Sequence, residues 1–467
     1  MFFTELSHRD AAPAALRNDM THTATQQKNT EQLSGWGRVF LPGKEVFSVD
    51  LEKDSKSAVL FRGLGRSYGD SAIPPADSPV AVATPLADKI RFFDRETGRM
   101  RAEAGLSLYE LNRLFLHENW FVPVTPGTQY VTLGGMVASD VHGKNHHVAG
   151  CFGEHVHALK MRVADGRVIE CSMENEQELF LATIGGMGLT GHILEVEFSM
   201  KRIPSPWIWQ ETRSIKNVDE FIVELKAAAC KWPFTVGWVD CLTRGTAMGR
   251  GILYCGRWAT PEEAPKYVPQ PRRTVLVPFV FPEWALGPVT ARAFNIGIYR
   301  RHFQQETKGI VSPEVFFYPL DIIREWNKIY GPRGFTQYQC VLPEESNPGV
   351  TRRFFDLLTN SGGASFLTVI KDCGEEGRGM ISFPKKGISV ALDIAVRDNT
   401  QELIDTLNEF LIAEGGRIYL TKDTFTRREH FRAMEPRLDN WTRVRRAWDP
   451  EEHIRSAQSI RMLGDRA

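Results

Sequence analysis

From residue 33 onward the apolar positions fall into two successive rhythms. Up to about residue 202, short runs rich in β-branched and aromatic residues (VLFRGLG, KIRFFDRETGRMRAEAG, VHALKMRVADGRVIEC and GHILEVEFSM) are separated by Gly and Asp turns. Period-two alternation interrupted at ETGR and ADGR predicts β-hairpins. Apolar spacing of three and four predicts helices over residues 106–118 and 175–182. The run IPSPWIWQ at 203–210, with two prolines and two tryptophans, reads as the crossing between domains. A second mixture follows, with strands TVGWVDCL, SFLTVIK and GISVALDIAV and helices VDEFIVELKAAAC and TQELIDTLNEFLIAE. The chain then ends with a strand RIYLTKDT and a polar helical tail. The expected architecture is α+β in two domains, 33–205 and 206–416, with 417–467 as a C-terminal segment.

Composition narrows this picture. The 467 residues exceed the ~250–300 at which one core stops growing. Apolar residues make up 42%, charged residues 24%, and the formal net charge is +0, so no broad field points to a nucleic acid partner. Seven cysteines stand singly with no CxxC pair, which argues against a zinc site or a disulfide framework and fits reduced thiols in the cytoplasm. Residues 1–32, rich in Ala, Thr, Gln and His, lack the apolar core of a secretory signal and read as a mobile leader. No window approaches the ~20 apolar residues of a membrane span. The most apolar run, 275–286, is broken by Pro278, Pro282 and Glu283. Its stretch 277–284 reads first as a buried loop and second as a lateral contact with lipid.

Three segments carry candidate chemistry. The first is Arg62-Gly63-Leu64-Gly65-Arg66-Ser67-Tyr68-Gly69-Asp70, after an apolar strand. Its glycines uncover backbone N–H groups that can wrap a pyrophosphate, with Arg62 and Arg66 adding charge; a plain glycine turn is the alternative. The second runs through Pro126-Gly127-Thr128, Thr132-Leu133-Gly134-Gly135 and Ser139-Asp140-Val141-His142-Gly143-Lys144-Asn145-His146-His147. So many small and polar residues suit a loop lining a cofactor, and the three histidines lack the acidic or thiolate neighbours of a metal site, so no metal is expected. The third holds a G-x-G-x-x-G at Gly186, Gly188 and Gly191, but it follows a helical stretch and leads into a strand. That order is the reverse of a nicotinamide-binding fingerprint, which is therefore rejected.

Taken in sequence, RGLGRSYGD, PGT, TLGG, DVHGKNHH and GGMGLTG resemble the FAD-binding (PCMH-like) domain of the vanillyl-alcohol-oxidase type. With FYPLDIIREWNKIYGP, FTQYQ, SFLTVIK, IYLTKD and RVRRAWDP added, residues 35–461 are similar to the family of decaprenylphosphoryl-ribose 2'-oxidases. The resemblance implies FAD contacted by the 61–71 loop, Gly127, Thr132, Leu133, Gly134, Gly135, Ser139, Asp140, His142, Ile193 and Tyr419. It implies that 417–467 completes the FAD-binding domain and that 206–416 caps it and binds substrate. Lys422, in the YLTKD strand, stands at the family's active-site lysine, as base or as charge partner, with His142 and Tyr68 beside it. Gln337, Gln339, Lys371, Trp238 and Phe317 line the substrate side; the two glutamines at i, i+2 share a strand face, and Lys371 would meet a phosphate. Tyr68 replaces the histidine that carries covalent FAD in many relatives, which implies a non-covalent cofactor. Ala391 and Phe317-Tyr318 depart from the Cys and Tyr-His of the mycobacterial type. The implied reaction oxidises the ribose 2'-hydroxyl of a polyprenyl-phosphoryl-ribose, with a separate NAD(P)H-dependent keto-reductase as partner and substrate access from the inner membrane face. A soluble sugar or aldonolactone oxidase is the alternative enzyme, and a flavin carrier without turnover is the non-enzymatic one.

Overall fold

The computed structural model describes residues 32–302, 306–363, 365 and 367–466. The leader inferred over 1–32 lies outside these, apart from Gln32, which opens the short strand Gln32–Ser34. The fold is α+β. Its first unit pairs a parallel three-stranded sheet (Lys44–Phe47, Val80–Ala83, Phe61–Arg62) with an antiparallel five-stranded one. The order of the latter is Val168–Ser172, Val156–Arg162, His192–Ser199, Arg99–Glu103, Ile90–Phe93. Both expected hairpins form, and each turn holds a glycine in the left-handed region, Gly98 at φ 77° and Gly166 at φ 89°. The helix Leu108–Phe115 begins where the Ser107 side chain accepts from Glu110 N–H, and it buries Leu108, Leu111 and Phe115 along one stripe.

The second unit is one antiparallel sheet of eight strands, ordered Thr307–Val311, Ile208–Ile215, Gly251–Trp258, Phe234–Val239, Thr368–Cys373, Gly387–Ala395, Phe335–Leu342, Arg417–Ile418. One face is covered by the helices Val218–Ala229, Val350–Asn360 and Thr400–Ala413, whose Phe221, Leu225, Phe354 and Leu407 pack on Leu253, Cys340, Val390 and Leu392. The register places Trp238 beside Val369, Val369 beside Ala391, Ala391 beside Gln339 and Asp393 beside Gln337. Alternation therefore puts these residues, with Lys371, on the opposite face.

Three expectations need correction. The strand RIYLTKDT ends at Ile418, and Leu420–Lys422 is a 3-10 turn, because Tyr68 N–H captures the Thr421 carbonyl at 2.9 Å and pulls the chain out of the sheet. A boundary at 416 therefore cuts off the eighth strand; beyond it the turn Leu420–Lys422 and the helices Leu438–Trp448 and Ala457–Leu463 turn back to the first unit, where Trp441 Nε1 donates to the Ala182 carbonyl at 2.8 Å. The stretch 277–284 is no buried loop, since Phe279 and Trp284 are exposed. No helix among the described residues is long and apolar enough to cross a membrane.

Arg461 clamps the two chain ends together, pairing with Asp70 at the end of the glycine loop (2.8 Å) and with Asp423 after the 3-10 turn (2.9 Å). Arg461→Leu leaves two largely buried carboxylates unpaired, at an expected cost of roughly 2–4 kcal/mol once partial exposure is discounted. An unfolding free energy from urea titration within about 0.5 kcal/mol of wild type would contradict the clamp.

Candidate active site

The strand Phe61–Arg62 delivers the chain into the glycine loop, where Gly65 turns at φ 63°. Trp36 and Gly37 N–H groups donate to the carbonyls of Ser67 and Tyr68 (2.7 and 2.9 Å), while among the described residues the N–H groups of 64–67 donate to no carbonyl. Such a run of open amides is an anion nest, and it comprises Leu64, Gly65, Arg66 and Ser67. The Arg66 guanidinium lies 4.1 Å from the Trp36 ring centroid and 5.4 Å from that of Tyr130, and its Nε has no partner among the described residues. Burial pulls its pKa down, with the Asp321 carboxylate acting against that. Arg62 must be corrected as a phosphate ligand: its Nε pairs with Glu45 at 2.9 Å, and its two remaining nitrogens donate to the carbonyls of Ala72 and Ser34.

The helix Leu133–Ala138 packs directly behind this nest. A side chain on Gly63 would meet Thr132 Oγ1 at 2.5 Å, so the loop and the helix cap fit only without one. Thr132 caps the helix by accepting from Gly135 N–H at 3.3 Å, while Leu133 and Gly134 N–H donate to Leu106 and Ala104 carbonyls. These amides are engaged, and the Leu133 side chain lies in the core with Ile193. Gly127 has open space where a Cβ would stand. The Ser139 carbonyl accepts from Tyr419 OH at 2.7 Å. Asp140, at φ 39°, accepts from Gly153 N–H at 2.8 Å and from Ser382 Oγ, and burial raises its carboxyl to about 6. Ser139, Asp140 and Tyr419 thus tie the end of this helix to the second unit. The segment 185–191 follows the helix Gln177–Thr183 and enters the strand His192–Ser199, and its Met187 N–H supports the Ala138 carbonyl at 2.8 Å.

The polar face of the eight-stranded sheet closes over this loop. Lys422 Nζ stands 3.8 Å from the Tyr68 ring centroid. Gln337 Nε2 donates to Tyr68 OH at 3.4 Å and to Asp393 at 2.6 Å, and Asp393 also accepts from Tyr330 OH at 2.6 Å. One position along the same face, Gln339 Nε2 meets His142 Nε2 at 2.9 Å and Ser389 Oγ at 3.3 Å. With Nε2 accepting, the His142 proton is assigned to Nδ1, which has no partner among the described residues. Lys144 donates to the Phe317 carbonyl at 3.0 Å, and His146 Nδ1 accepts from Gly374 N–H. His147 Nε2 turns instead to the Trp232 carbonyl, so the three histidines do not converge.

Positive charge dominates this cluster. Burial lowers Lys422 to about 7, with Asp393 raising it and Lys371 lowering it further. Burial and Lys371 bring Lys144 to about 7, and burial also lowers Lys371. His142 is driven well below its usual value by burial and then by Lys371, His146 and Lys422, so it is neutral. Asp393, pushed up to about 6 by burial, is the carboxylate that faces Lys422. Trp238 shares the sheet face and packs on Ile252 and Tyr299. Phe317 is a correction: its ring, 1% exposed, packs between Phe121 of the first unit and Phe234 and Trp258 of the eight-stranded sheet, and its carbonyl, not its ring, meets Lys144. Sequence reasoning missed Asp393, Asp321 and Lys144 as site residues. For Asp393 the signal was there, since it lies two residues beyond Ala391 in the same strand.

An FAD binding domain family model matches residues 48–172, the span that holds the nest and its supporting helix. Over 452 residues the chain is 32% identical to the decaprenylphosphoryl-β-D-ribose oxidase of Mycolicibacterium smegmatis, covering 93% of this chain and 97% of that protein. The chain belongs to this oxidase family. It is an FAD-dependent oxidoreductase, and the open amides of 64–67, the unpartnered Arg66 Nε and the space at Gly127 fit that cofactor. An uncharacterised protein of Streptomyces coelicolor is 30% identical over 77% of this chain and all of its own length. The L-gulonolactone oxidase of Mus musculus is 31% identical but covers 33% of each chain.

The two loop arginines separate cofactor binding from folding. Arg66→Gln is expected to weaken FAD binding by roughly 1.5–3 kcal/mol, the worth of a hydrogen bond to a charged group, without moving the apoprotein's urea midpoint. Arg62→Gln is expected to lower that midpoint. Fluorescence titration of apoprotein with FAD reads the first effect, and equal FAD affinity in Arg66→Gln and wild type would sink the assignment.

Proposed function

We propose that this enzyme oxidises the ribose 2'-hydroxyl of a polyprenyl-phosphoryl-β-D-ribofuranose to the 2'-keto sugar, the first half of epimerisation to an arabinose donor. The observation that carries this reading is the pair Gln337 and Gln339 on one strand face, the first bonded beneath Lys422 at Tyr68 and the second bonded to His142. Two side-chain amides at that spacing suit neighbouring sugar hydroxyls. Lys144 and Lys371, the second close enough to depress the first, suit a phosphate. The name of the Mycolicibacterium smegmatis relative supports the same sugar.

Bound FAD, held without a covalent link at Tyr68, supplies the hydride acceptor for the carbinol carbon. Lys422 accepts the hydroxyl proton in its neutral form, which burial makes abundant near pH 7. Once protonated it balances negative charge in the site. Neutral His142, its Nε2 held by Gln339, offers Nδ1–H to a sugar oxygen. Trp238 walls the outer side. A keto-sugar product calls for a separate NAD(P)H-dependent reductase, and a prenyl tail calls for access from a membrane surface. The lactone-oxidase alternative has narrower support, since that similarity reaches only 33–34% of the chain.

Anaerobic titration with a short-chain prenyl-phosphoryl-ribose is expected to bleach the flavin band and yield the 2'-keto product, and acid precipitation is expected to leave the FAD in solution. Bleaching by lipid-free sugar or lactone alone would move the reading to a lactone oxidase.

The pH profile tests the base. A protonated lysine cannot accept, so the reduction rate rises with pH through about 7. Lys422→Met removes that rise and slows reduction roughly 10²–10⁴-fold. Because the Asp393 charge holds the lysine's pKa up, Asp393→Asn shifts the rise to lower pH; a shift to higher pH would exclude the coupling.

A further inference from the structure

The surface between residues 264 and 301 is unlike the rest of the molecule. Val275, Leu276, Phe279, Val280, Trp284 and Val289 all present apolar side chains to solvent, Trp284 at 80% exposure and Val289 at 81%. Single exposed apolar residues are ordinary; a run of six within 15 residues is not. Six exposed cations, Lys266, Arg272, Arg273, Arg292, Arg300 and Arg301, occupy the same stretch with Glu283 as its one carboxylate. Arg333 neutralises that carboxylate at 2.9 Å.

The backbone of this segment is firmly seated. Val275 and Leu276 pair with Ile323 and Arg324, Phe281 N–H donates to the Lys328 carbonyl at 3.0 Å, and Arg397 donates to the Glu283 carbonyl at 3.0 Å. Its inner side reaches the candidate active site, because Leu286 packs on the cluster of Tyr68, Trp326, Tyr330 and Phe335. Pro278 and Pro282 deprive the stretch of the N–H groups that an added strand would need. An outward row of Trp, Phe and Val beside arginines whose side chains form no ion pair among the described residues matches the interfacial zone of a bilayer, where aromatic rings sit at headgroup depth and cations meet anionic lipid.

We propose that residues 275–292, with the flanking cations, form a docking surface for an anionic lipid bilayer at the edge of the active site. The surface would hand a prenyl-linked sugar from the bilayer to the face carrying Gln337 and Asp393. That last step rests on the proposed function; lipid binding itself does not.

The test is flotation of the FAD-loaded full chain with phosphatidylcholine vesicles, with and without phosphatidylglycerol and free of any prenyl lipid. The chain is expected to float with the anionic vesicles, less with the neutral ones and less at raised salt. Phe279→Ser with Trp284→Ser is expected to cut the bound fraction about tenfold while FAD content and reduction by the short-chain substrate stay unchanged. Arg272→Ser with Arg273→Ser removes the preference for phosphatidylglycerol. No flotation of wild type, or equal flotation of the apolar double variant, overturns the proposal. So does a lipid-free dimer that the double variant dissociates, which would make the surface a contact between copies. A chain that floats but is not bleached by prenyl-phosphoryl-ribose keeps the docking surface and loses the proposed substrate, so the two failures are distinguishable.

Discussion

A single backbone approach holds the candidate site together. A Cβ on Gly69 would fall 1.8 Å from the Asp423 carbonyl oxygen, closer than any side chain permits, and Tyr68 N–H donates to the Thr421 carbonyl beside it. The turn Leu420–Lys422, from the far end of the chain, therefore lies flush on the glycine loop. This contact carries Lys422 over the Tyr68 ring, and Arg461 locks the approach from outside through Asp70 and Asp423. The loop then has two sides: open amides at 64–67, and Tyr68 against the lysine and Gln337. Moving either end of the chain would disturb both.

The electrostatics follow from that closure. Lys144, Lys371 and Lys422 share a buried region with Asp393 as the carboxylate facing Lys422, and burying cations without full compensation is costly. The cost appears as depressed lysine pKa values and a neutral His142. Such perturbed groups in one cleft mark a working site better than a structural ion pair would. By contrast, Arg445 and Asp465, a buried pair at 2.6 Å, leave each other satisfied and hold the C-terminal helices in place.

Local chemistry was legible in the sequence, and long-range contact was not. The hairpins at Gly98 and Gly166 could be read because a turn is specified by its own residues. The shared face of Gln337 and Gln339 followed from strand parity, and the reversed order around Gly186–Gly191 excluded a dinucleotide fingerprint. Lys422 was assigned to a strand because IYL continues a β pattern; only Tyr68 and Gly69, at the other end of the chain, break it. Nothing local distinguishes Arg62 from Arg66, since Glu45, Ser34 and Ala72 converge on Arg62 only after folding. The aromatics of 277–284 suggested burial, but hydrogen bonds to the 323–328 segment fix the backbone and leave the side chains outside.

The sheet register makes stability and function one constraint. Along Phe335–Leu342, the odd residues Gln337 and Gln339 face the site while Tyr338, Cys340 and Leu342 face the helix-packed core. A slip of one residue against Gly387–Ala395 would bury the two glutamines among Phe354 and Leu407 and would turn Tyr338, Cys340 and Leu342 toward the site. Buried polar groups survive only when hydrogen-bonded, and here each has partners: Gln337 has Asp393 and Tyr68, Gln339 has His142 and Ser389, and Asp393 also has Tyr330. The apolar core on one face thus fixes the positions of the two glutamine amides on the other. Among the described residues, the polar atoms without partners at this site include two donors, Arg66 Nε on the glycine loop and His142 Nδ1 beside Gln339. One suits a phosphate of FAD and the other a substrate oxygen, so the cleft is organised before either ligand arrives.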